Sequence, residues 1–235
     1  MKTIILCGGK GTRLSEETKF VPKPMVKIGN KPIIVHIIKI YMKYGLKDFI
    51  LAIGYKGKII QEYFKLNPIK GANIKCVNTG LNSKTGGRIL FLKENFEKND
   101  TFMVTYGDGV SKDNIKELIK FHKKHKKFLT LTAVRPPVRF GEIKINKNNY
   151  VKEFNEKLQT NHNWINGGFF VMNYTVFNFI KNNQEMFEQE PIERLLSITQ
   201  VKAYKHYDFW QCMDTLREKK YPQKLRKIEL EKRFF

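Results

Sequence analysis

Apolar runs of about six residues alternate with longer amphipathic segments through the first half of the chain. The runs at 2–7, 48–53, 73–77 and 101–106 are rich in apolar residues and are typical of buried strands. Apolar positions at helical spacing predict helices over 32–44, 56–64, 85–96 and 111–125. Because strands and helices alternate, the sequence predicts a mostly parallel sheet with helices on both faces.

After residue 128 the pattern changes to strand-like segments that are separated by polar turns. Strands are predicted at 128–134, 141–146, 150–155 and 164–172, and helices at 174–181, 192–198 and 215–233, the last kinked at Pro222. The chain has neither a low-complexity linker nor an internal repeat. We therefore expect a single α/β domain over 1–235, in which a Rossmann-like part at 1–128 continues into a small β-rich extension and C-terminal helix at 129–235.

The charge balance is strongly basic. The 235-residue chain carries 44 lysines and arginines against 22 acidic residues, which gives a formal net charge of +22. Only 8 of these 44 cations are arginine, and the lysines are spread through every segment. Dispersed lysine is typical of a solvated surface, so we expect weak attraction to anions and no specific nucleic-acid binding.

Apolar content, cysteine spacing and run lengths narrow the class of protein further. An apolar content of 41% is enough for a full core, which excludes a disordered chain. Cys7, Cys76 and Cys212 form no C-x-x-C pair, which disfavours zinc and disulfide roles and predicts a reducing cytoplasm. No apolar run has the length of a membrane span, and Met1 leads straight into a predicted strand. We therefore expect neither a membrane anchor nor a signal peptide.

A glycine-rich loop that carries cations follows the first predicted strand. It reads Gly8-Gly9-Lys10-Gly11-Thr12-Arg13, and Lys23 follows ten residues later between two prolines. Glycines let main-chain N–H groups approach phosphate oxygens, while Arg13 can bind two oxygens and Lys23 adds a point charge. A Walker A loop needs Ser or Thr after its lysine, and a dinucleotide loop needs glycine where Leu14 stands. An ordinary turn would explain the glycines but not both cations, so the loop predicts a polyphosphate site.

The chain resembles the sugar nucleotidyltransferases, which join an NTP to a sugar 1-phosphate. The resemblance is strongest over residues 8–31, which read GGKGTRLSEETKFVPKPMVKIGNK, and within the group it points to the glucose-1-phosphate cytidylyltransferases. Further matching islands, in family order, are Thr85-Gly86-Gly87-Arg88, Thr105-Tyr106-Gly107-Asp108-Gly109, Arg139-Phe140-Gly141, Ile165-Asn166-Gly167-Gly168-Phe169-Phe170, Glu188-Gln189-Glu190-Pro191 and Phe209-Trp210-Gln211-Cys212-Met213-Asp214-Thr215. The resemblance implies a nucleotide-diphospho-sugar transferase fold, with the nucleotide at 1–128 and the acceptor at 129–235.

The resemblance also implies which residues bind the nucleotide. These are Leu6, Gly8, Gly9, Lys10, Gly11, Thr12, Arg13, Ser83, Arg88 and Gly107. Arg13, Lys23 and Asp108 are the implied catalytic residues. Arg88 matches a position that contacts the nucleotide in the cytidylyltransferases, which favours CTP over UTP or dTTP; without the resemblance, Arg88 would be interpreted as a helix-surface cation.

A magnesium site is implied by the same resemblance. From residue type alone, Asp108 is equally well a turn residue and Asp214 a helix N-cap. Both positions match the family's metal-binding aspartates, so we expect them to hold one Mg²⁺ together with substrate oxygens. The acceptor phosphate is already an anion at neutral pH, so the reaction needs no general base, and the five histidines share no pattern that would supply one.

Acceptor recognition is expected from Glu156, Lys157, Asn166 and Gly167. By resemblance, Glu156 binds sugar hydroxyls and Lys157 the acceptor phosphate, although an exposed Glu-Lys pair on a hairpin is the alternative interpretation. The chain departs from the family pattern at Val21, Asn155 and Leu158, and its segment between 64 and 79 is short.

These departures lie on or near the acceptor side, and they place the nature of the acceptor in question. The compact form is also similar to cytidylyltransferases that act on phosphoglutamine in the addition of phosphoramidate to bacterial capsules. We therefore place phosphoglutamine ahead of glucose 1-phosphate as the acceptor.

Three hypotheses follow for function. The first is a Mg²⁺-dependent cytidylyltransferase whose partners are CTP and a small phosphorylated acceptor, as a monomer or a homo-oligomer. The second is a nucleotide-sensing module without turnover, which the retained Arg13, Lys23, Asp108 and Asp214 disfavour. The third is a basic nucleic-acid-binding protein, for which the sequence shows no recognition motif.

Overall fold

A computed structural model describes residues 1–11, 18, 20–135, 142–155 and 163–213. Its centre is a seven-stranded sheet made of β1 (Lys2–Cys7), β4 (Asp48–Ile53), β5 (Asn73–Asn78), β6 (Thr101–Tyr106), β8 (Leu129–Val134), β11 (Ile165–Asn173) and β12 (Val201–Lys205). The strands lie in the order β12-β8-β11-β6-β1-β4-β5. Only β11 among these seven runs antiparallel to its neighbours. The prediction of a mostly parallel α/β sheet is confirmed.

Helices cover both faces of this sheet. They are α1 (Ile33–Lys43), α2 (Gly57–Leu66), α3 (Thr85–Phe91), α4 (Ile115–His125) and α5 (Glu190–Ser197), with 3₁₀ turns at Lys23–Met25, Lys93–Asn95 and Tyr174–Phe179. Successive residues of β1 point to opposite faces, so Ile5 packs with α1, α2 and α4 whereas Ile4 packs with α3 and α5. Burial on both faces explains why the strand sequences are nearly continuous apolar runs.

Three small two-stranded ladders complete the described fold. They pair β2 (Lys27–Ile28) with β3 (Lys31–Pro32), β7 (Gly109–Ser111) with β13 (Trp210–Cys212), and β9 (Glu142–Ile145) with β10 (Val151–Asn155). The β7–β13 ladder joins residues about 100 positions apart, and it lies directly after β6 in the chain. Strands from both parts of the chain therefore meet where β6 ends.

Several element boundaries differ from those predicted. The helix expected over 111–125 begins only at Ile115, because Ser111 belongs to β7 and the side chain of Asn114 caps the helix by accepting from the Glu117 N–H at 3.2 Å. The helix expected at 174–181 is a 3₁₀ turn, and α3 ends at Phe91. The helix expected over 215–233 lies outside the described residues.

Five of the described strands were missed by the sequence pattern, namely β2, β3, β7, β12 and β13. β12 is the edge of the main sheet, so its residues are exposed or half-buried and carry lysines instead of an apolar run. β13 has only three residues, and its pairing with β7 depends on a contact distant in sequence. No described helix combines the length and the apolar character that crossing a bilayer requires.

A chain of hydrogen bonds through two histidines joins the end of α4 to the sheet. The Lys127 N–H donates to His125 Nδ1 at 2.9 Å, so His125 Nε2 carries the proton and donates to Thr130 Oγ1 at 2.7 Å. Thr130 donates in turn to His122 Nδ1 at 2.7 Å, and His122 Nε2 donates to Asn173 Oδ1 at 2.9 Å. Burial lowers the pKa of both imidazoles below the usual value. Burial therefore favours the neutral form of both histidines.

We predict that the protein becomes less stable as the pH falls from 7.5 to 5.5. The unfolded chain binds protons at the ordinary histidine pKa, whereas folded His122 binds its proton only at lower pH, so acidification favours the unfolded state. Urea denaturation at the two pH values measures the free energy of unfolding. His122→Gln is expected to reduce the acid-induced loss of unfolding free energy, because the group that takes up the proton in the unfolded chain is gone. An equal loss in both proteins would contradict the prediction.

Candidate active site

The candidate site lies at the carboxyl edge of the main sheet, between β1 and β6. From β1 the chain passes to β4 and β5 on one side, and then returns to place β6 on the other side of β1. Such a reversal leaves a crevice between the loops that follow the two strands, and open α/β sheets bind ligands there. The loop after β1 begins at Gly8 and the loop after β6 at Gly107, which are both predicted site residues.

The loop Gly8–Gly11 has a packed end and an open end. Gly8 is buried, and a Cβ added to it would lie 2.1 Å from Arg88 Nη1. Gly9 and Lys10 are exposed, and a Cβ added to Gly9 would have no heavy atom within 4 Å. Gly11 has a φ of +65°, which favours glycine, and its carbonyl accepts from Thr18 Oγ1 at 3.1 Å. The loop is therefore fixed at Gly8 and accessible to a ligand at Gly9 and Lys10.

Lys23 and Asp108 meet at this edge. Lys23 begins the 3₁₀ turn after the loop, and its Nζ lies 2.5 Å from Asp108 Oδ2 although 85 residues separate the two positions. Their side chains are 13% and 22% exposed, so both are accessible from the crevice. Two residues that the sequence predicted as catalytic therefore lie in contact.

The loop after β6 is held against the loop after β1. The Gly107 N–H donates to the Leu6 carbonyl at 3.1 Å, and a Cβ at Gly107 would lie 2.8 Å from both that oxygen and Pro24. This close approach requires glycine. It also fixes Asp108, the next residue, beside the Pro24 turn that carries Lys23.

The β7–β13 ladder brings the chain back to Asp108. The Met213 N–H donates to the Asp108 carbonyl at 2.9 Å, and Cys212 pairs with Gly109. Asp214 itself lies outside the described residues, as do Thr12, Arg13, Glu156 and Lys157. The described part of the predicted site consists of Leu6, Gly8, Gly9, Lys10, Gly11, Lys23, Ser83, Arg88, Gly107, Asp108, Asn166 and Gly167.

The chemistry of Asp108 fits a hard divalent cation. A half-buried carboxylate between two glycines offers the oxygen ligands that Mg²⁺ prefers and leaves room for phosphate oxygens. The described residues contain no group of three or more His, Cys, Asp or Glu side chains that would hold a metal by themselves. A cation bound by Asp108 would therefore take further ligands from the substrates or from the undescribed Asp214.

Arg88 is buried beneath the loop, and it is not a helix-surface cation. It is 4% exposed, and its Nη1 donates to Thr79 Oγ1 and the Gly80 carbonyl, each at 2.8 Å, while Nη2 donates to the Gly8 carbonyl at 2.9 Å. Burial lowers its pKa below the usual value. The described hydrogen bonds of Arg88 thus connect the loops after β1 and β5 on the buried side of both loops.

The glycine pair before Arg88 has a packing role that the sequence did not reveal. A Cβ at Gly86 would lie 2.7 Å from the Glu185 carbonyl, and one at Gly87 would lie 2.3 Å from the Asn183 carbonyl. The two glycines therefore allow the first turn of α3 to touch the segment before α5. Nearby, Ser83 Oγ donates to the Thr79 carbonyl at 2.5 Å.

The described residues that were predicted to bind the acceptor lie at the start of β11, on one side of the crevice. Asn166 is exposed and Gly167 is buried, and the Gly167 carbonyl accepts from Trp210 Nε1 at 2.8 Å. Asn166 Nδ2 donates to the Tyr106 hydroxyl at 3.1 Å. Because Tyr106 ends β6 two residues before Asp108, Asn166 lies at the same edge of the sheet as the carboxylate.

Sequence reasoning missed two groups on this side. Tyr106 and Glu188 are joined by a hydrogen bond, and the two sequence islands that contain them were the available signal. The second group is formed by Arg135 and Lys205, whose cations lie 4.9 Å and 5.4 Å from the ring centroid of Trp164. Neither of these two cations pairs with a carboxylate of a described residue.

Comparison with known proteins gives consistent matches. The family model described as Nucleotidyl transferase matches residues 2–215. A protein named glucose-1-phosphate cytidylyltransferase, from Salmonella typhimurium, is 45% identical over 94% of both chains. A probable glucose-1-phosphate cytidylyltransferase from Bacillus subtilis is 39% identical over 92% of both chains. A solved structure of a putative glucose-1-phosphate thymidylyltransferase from Bacillus anthracis matches with a TM-score of 0.77 at 19% identity, over 100% of this chain and 98% of that one.

We predict that alanine destabilises the protein at the first of two adjacent glycines of the loop and has almost no effect at the second. Gly8→Ala is expected to lower the free energy of unfolding by about 3 kcal/mol, because the methyl group displaces Arg88 from buried carbonyl partners. Gly9→Ala is expected to change it by less than about 0.5 kcal/mol, because its methyl group meets open space. Urea denaturation of both variants tests this, and equal stabilities would contradict the packing described here.

Proposed function

The chain belongs to the nucleotidyl transferase family, and we propose that within it the enzyme is a cytidylyltransferase that transfers CMP from CTP to glucose 1-phosphate with release of pyrophosphate. The observation that carries the proposal is the contact between Lys23 and Asp108 beside the open end of the glycine loop. That arrangement offers cationic, carboxylate and main-chain groups within one crevice. A nucleoside triphosphate needs all three.

The loop and its cations bind the triphosphate. Gly9 and Lys10 form the accessible end of the loop, and the absence of side-chain bulk at Gly9 lets phosphate oxygens approach the main chain. Lys23 and Arg13 supply positive charge, with Arg13 assigned from the sequence alone. These cations stabilise the negative charge that builds up on departing pyrophosphate.

Asp108 and Asp214 are the residues that we propose would hold Mg²⁺. When bound, the ion supplies positive charge that reduces repulsion between the two anionic substrates. Lys23 contacts Asp108 in the described structure, so this lysine is also placed to bind a phosphate oxygen close to the carboxylate. Met213, the residue before Asp214, is hydrogen-bonded to the Asp108 main chain, which supports a shared site.

The transfer step itself needs little chemistry from side chains. An oxygen of the acceptor phosphate attacks the α-phosphorus of CTP, and the bond from that phosphorus to the bridging oxygen of the β-phosphate breaks. The acceptor oxygen is already anionic, so no residue has to remove a proton. Catalysis then depends on orientation of the two substrates and on charge stabilisation by Lys23 and Arg13.

CTP as the nucleotide is supported by the named relatives rather than by a single contact. The segment Ser83–Arg88 borders the loop after β1, and in the resemblance it surrounds the nucleotide base. Arg88 also binds the Gly80 carbonyl, in the loop that leads into that segment. We propose that the loop main chain, positioned by Arg88, selects a base with an exocyclic amine.

For the acceptor, we now propose glucose 1-phosphate ahead of phosphoglutamine. The sequence departures at Asn155 and Leu158 had favoured phosphoglutamine, but a relative named for glucose 1-phosphate is 45% identical over 94% of both chains. Phosphoglutamine stays the second candidate because Arg135 and Lys205 gather two cations around Trp164 at the acceptor edge. A second anionic group on the acceptor would suit that pair.

We predict that the enzyme releases pyrophosphate from CTP only in the presence of Mg²⁺ and the correct acceptor. Glucose 1-phosphate, phosphoglutamine, phosphoethanolamine and glycerol phosphate are compared at equal concentration, with UTP and dTTP replacing CTP in parallel reactions. The highest kcat/KM is expected for CTP with glucose 1-phosphate. A higher kcat/KM with phosphoglutamine would make phosphoglutamine the assigned acceptor. No turnover with any pair of nucleotide and acceptor would overturn the proposed function.

We predict that Asp108→Asn lowers kcat/KM by about 10³-fold, because the substitution removes an anionic ligand and the partner of Lys23. Asp48→Asn is the matched control, since Asp48 begins β4 at the opposite edge of the same sheet. It is expected to stay within about twofold of the unmodified enzyme. Full activity of Asp108→Asn would remove the metal-site assignment.

A further inference from the structure

Two sequence islands that lie about 100 residues apart meet through their side chains. Thr85 Oγ1 donates to Glu188 Oε2 at 2.6 Å, and the Phe187 N–H donates to Thr85 Oγ1 at 2.9 Å. Thr85 begins α3, three residues before Arg88, while Glu188 lies two residues before the start of α5. Glu188 therefore contacts the element that supports the nucleotide loop.

The other oxygen of Glu188 faces the acceptor side. The Tyr106 hydroxyl donates to Glu188 Oε1 at 2.5 Å and accepts from Asn166 Nδ2 at 3.1 Å. The direction of the first bond follows from the partner, because an ionised carboxylate can only accept. Since the phenolic proton is committed to Glu188, the Tyr106 oxygen offers a lone pair, and never its proton, to Asn166.

This direction fixes the orientation of the Asn166 amide. The Asn166 Nδ2 group must face Tyr106, and Asn166 Oδ1 then accepts from the Gly168 N–H at 2.9 Å. Gly168 has a φ of +80°, and a Cβ there would lie 2.4 Å from the Tyr106 ring, so the chain at this turn requires glycine. One N–H of the exposed Asn166 side chain has no described partner and is available to a ligand.

We propose that Glu188 is a positioning residue for the acceptor, acting through Tyr106 to set the direction in which Asn166 presents its amide. The inference rests on the proposed function, in which the acceptor binds beside Asn166. Glu188 also holds Thr85 at the start of α3, so a single carboxylate connects the nucleotide side of the crevice to the acceptor side.

A purely structural role for Glu188 makes a different prediction. If the residue only ties the chain before α5 to α3, its replacement should lower stability and affect both substrates alike. If it positions Asn166, its replacement should raise the acceptor KM more than the CTP KM. The two substrates therefore separate the two roles.

The experiment measures steady-state kinetics of Tyr106→Phe and Glu188→Gln with CTP and glucose 1-phosphate, or with phosphoglutamine if the acceptor screen selects it. Tyr106→Phe removes the acceptor for the Asn166 amide. In Glu188→Gln the side-chain amide has a single oxygen, whereas the hydroxyls of Tyr106 and Thr85 both need an acceptor. One of the two hydroxyls must therefore rotate to a different partner. Each variant is expected to raise the acceptor KM by about 3- to 10-fold and to leave the CTP KM within about twofold.

Glu190→Gln provides the matched control, because it removes the same charge at an exposed position in the same sequence island. It should leave both KM values unchanged. A double variant supplies the sharper readout: in an Asn166→Ala background, Tyr106→Phe should raise the acceptor KM no further, because the residue through which Tyr106 acts is gone. Thermal unfolding of every variant confirms that each remains folded at the assay temperature.

An equal rise of both KM values, or additive effects of Tyr106→Phe and Asn166→Ala, would overturn the positioning role. Unchanged kinetics in Tyr106→Phe and Glu188→Gln would overturn it too. These outcomes all require an active unmodified enzyme, whereas the proposed function fails if that enzyme transfers no nucleotide to any acceptor. The two failures are therefore distinguishable.

Discussion

A buried guanidinium that must find hydrogen-bond acceptors organises the loops at the carboxyl edge of the sheet. Arg88 lies beneath the loops that follow β1 and β5, and it binds the carbonyl groups of Gly8 and Gly80. A buried cation without such partners would cost several kcal/mol, so the loops must converge on it. The glycines around Arg88 follow from that convergence, since a Cβ at Gly8 or Gly54 would collide with its guanidinium.

The same constraint separates the support of the loop from its binding surface. Gly8 faces Arg88 and the protein interior, while Gly9 and Lys10 face the crevice. Arg88 therefore supports the loop without occupying the side that a ligand would approach. Because Arg88 already fixes the conformation of the loop, a ligand does not have to order the main chain of the loop when it binds. This lowers the entropic cost of binding.

Polar contacts between distant parts of the chain join the loops at the carboxyl edge of the sheet. The contact of Lys23 with Asp108 joins the loops after β1 and β6, and the bonds from Glu188 to Tyr106 and Thr85 join the second half of the chain to the first. Hydrogen bonds to carboxylates are directional, so they fix the orientation of side chains as well as their distance. Asn166 illustrates this, because its amide direction follows from Tyr106.

Sequence patterns predicted the interior of the fold well and its rim poorly. The strands at 2–7, 48–53 and 101–106 were predicted with the observed boundaries, because strands buried on both faces are continuous apolar runs. β12 and β13 were missed since an edge strand and a three-residue ladder leave no such run. The start of α4 was placed too early because the β7 pairing with β13 is invisible in the local sequence.

The amino-acid sequence by itself determined the α/β architecture, the glycine loop and the catalytic prediction for Lys23 and Asp108. The architecture and the loop depend on residue type and on short spacings, which local physical chemistry interprets directly, whereas the catalytic role of Asp108 is what the family resemblance implies. Only the tertiary structure decided that Arg88 is an internal brace and that Thr85, Tyr106, Glu188 and Asn166 form one hydrogen-bonded chain. Burial and the direction of a hydrogen bond are set by groups distant in sequence, so no local pattern records them.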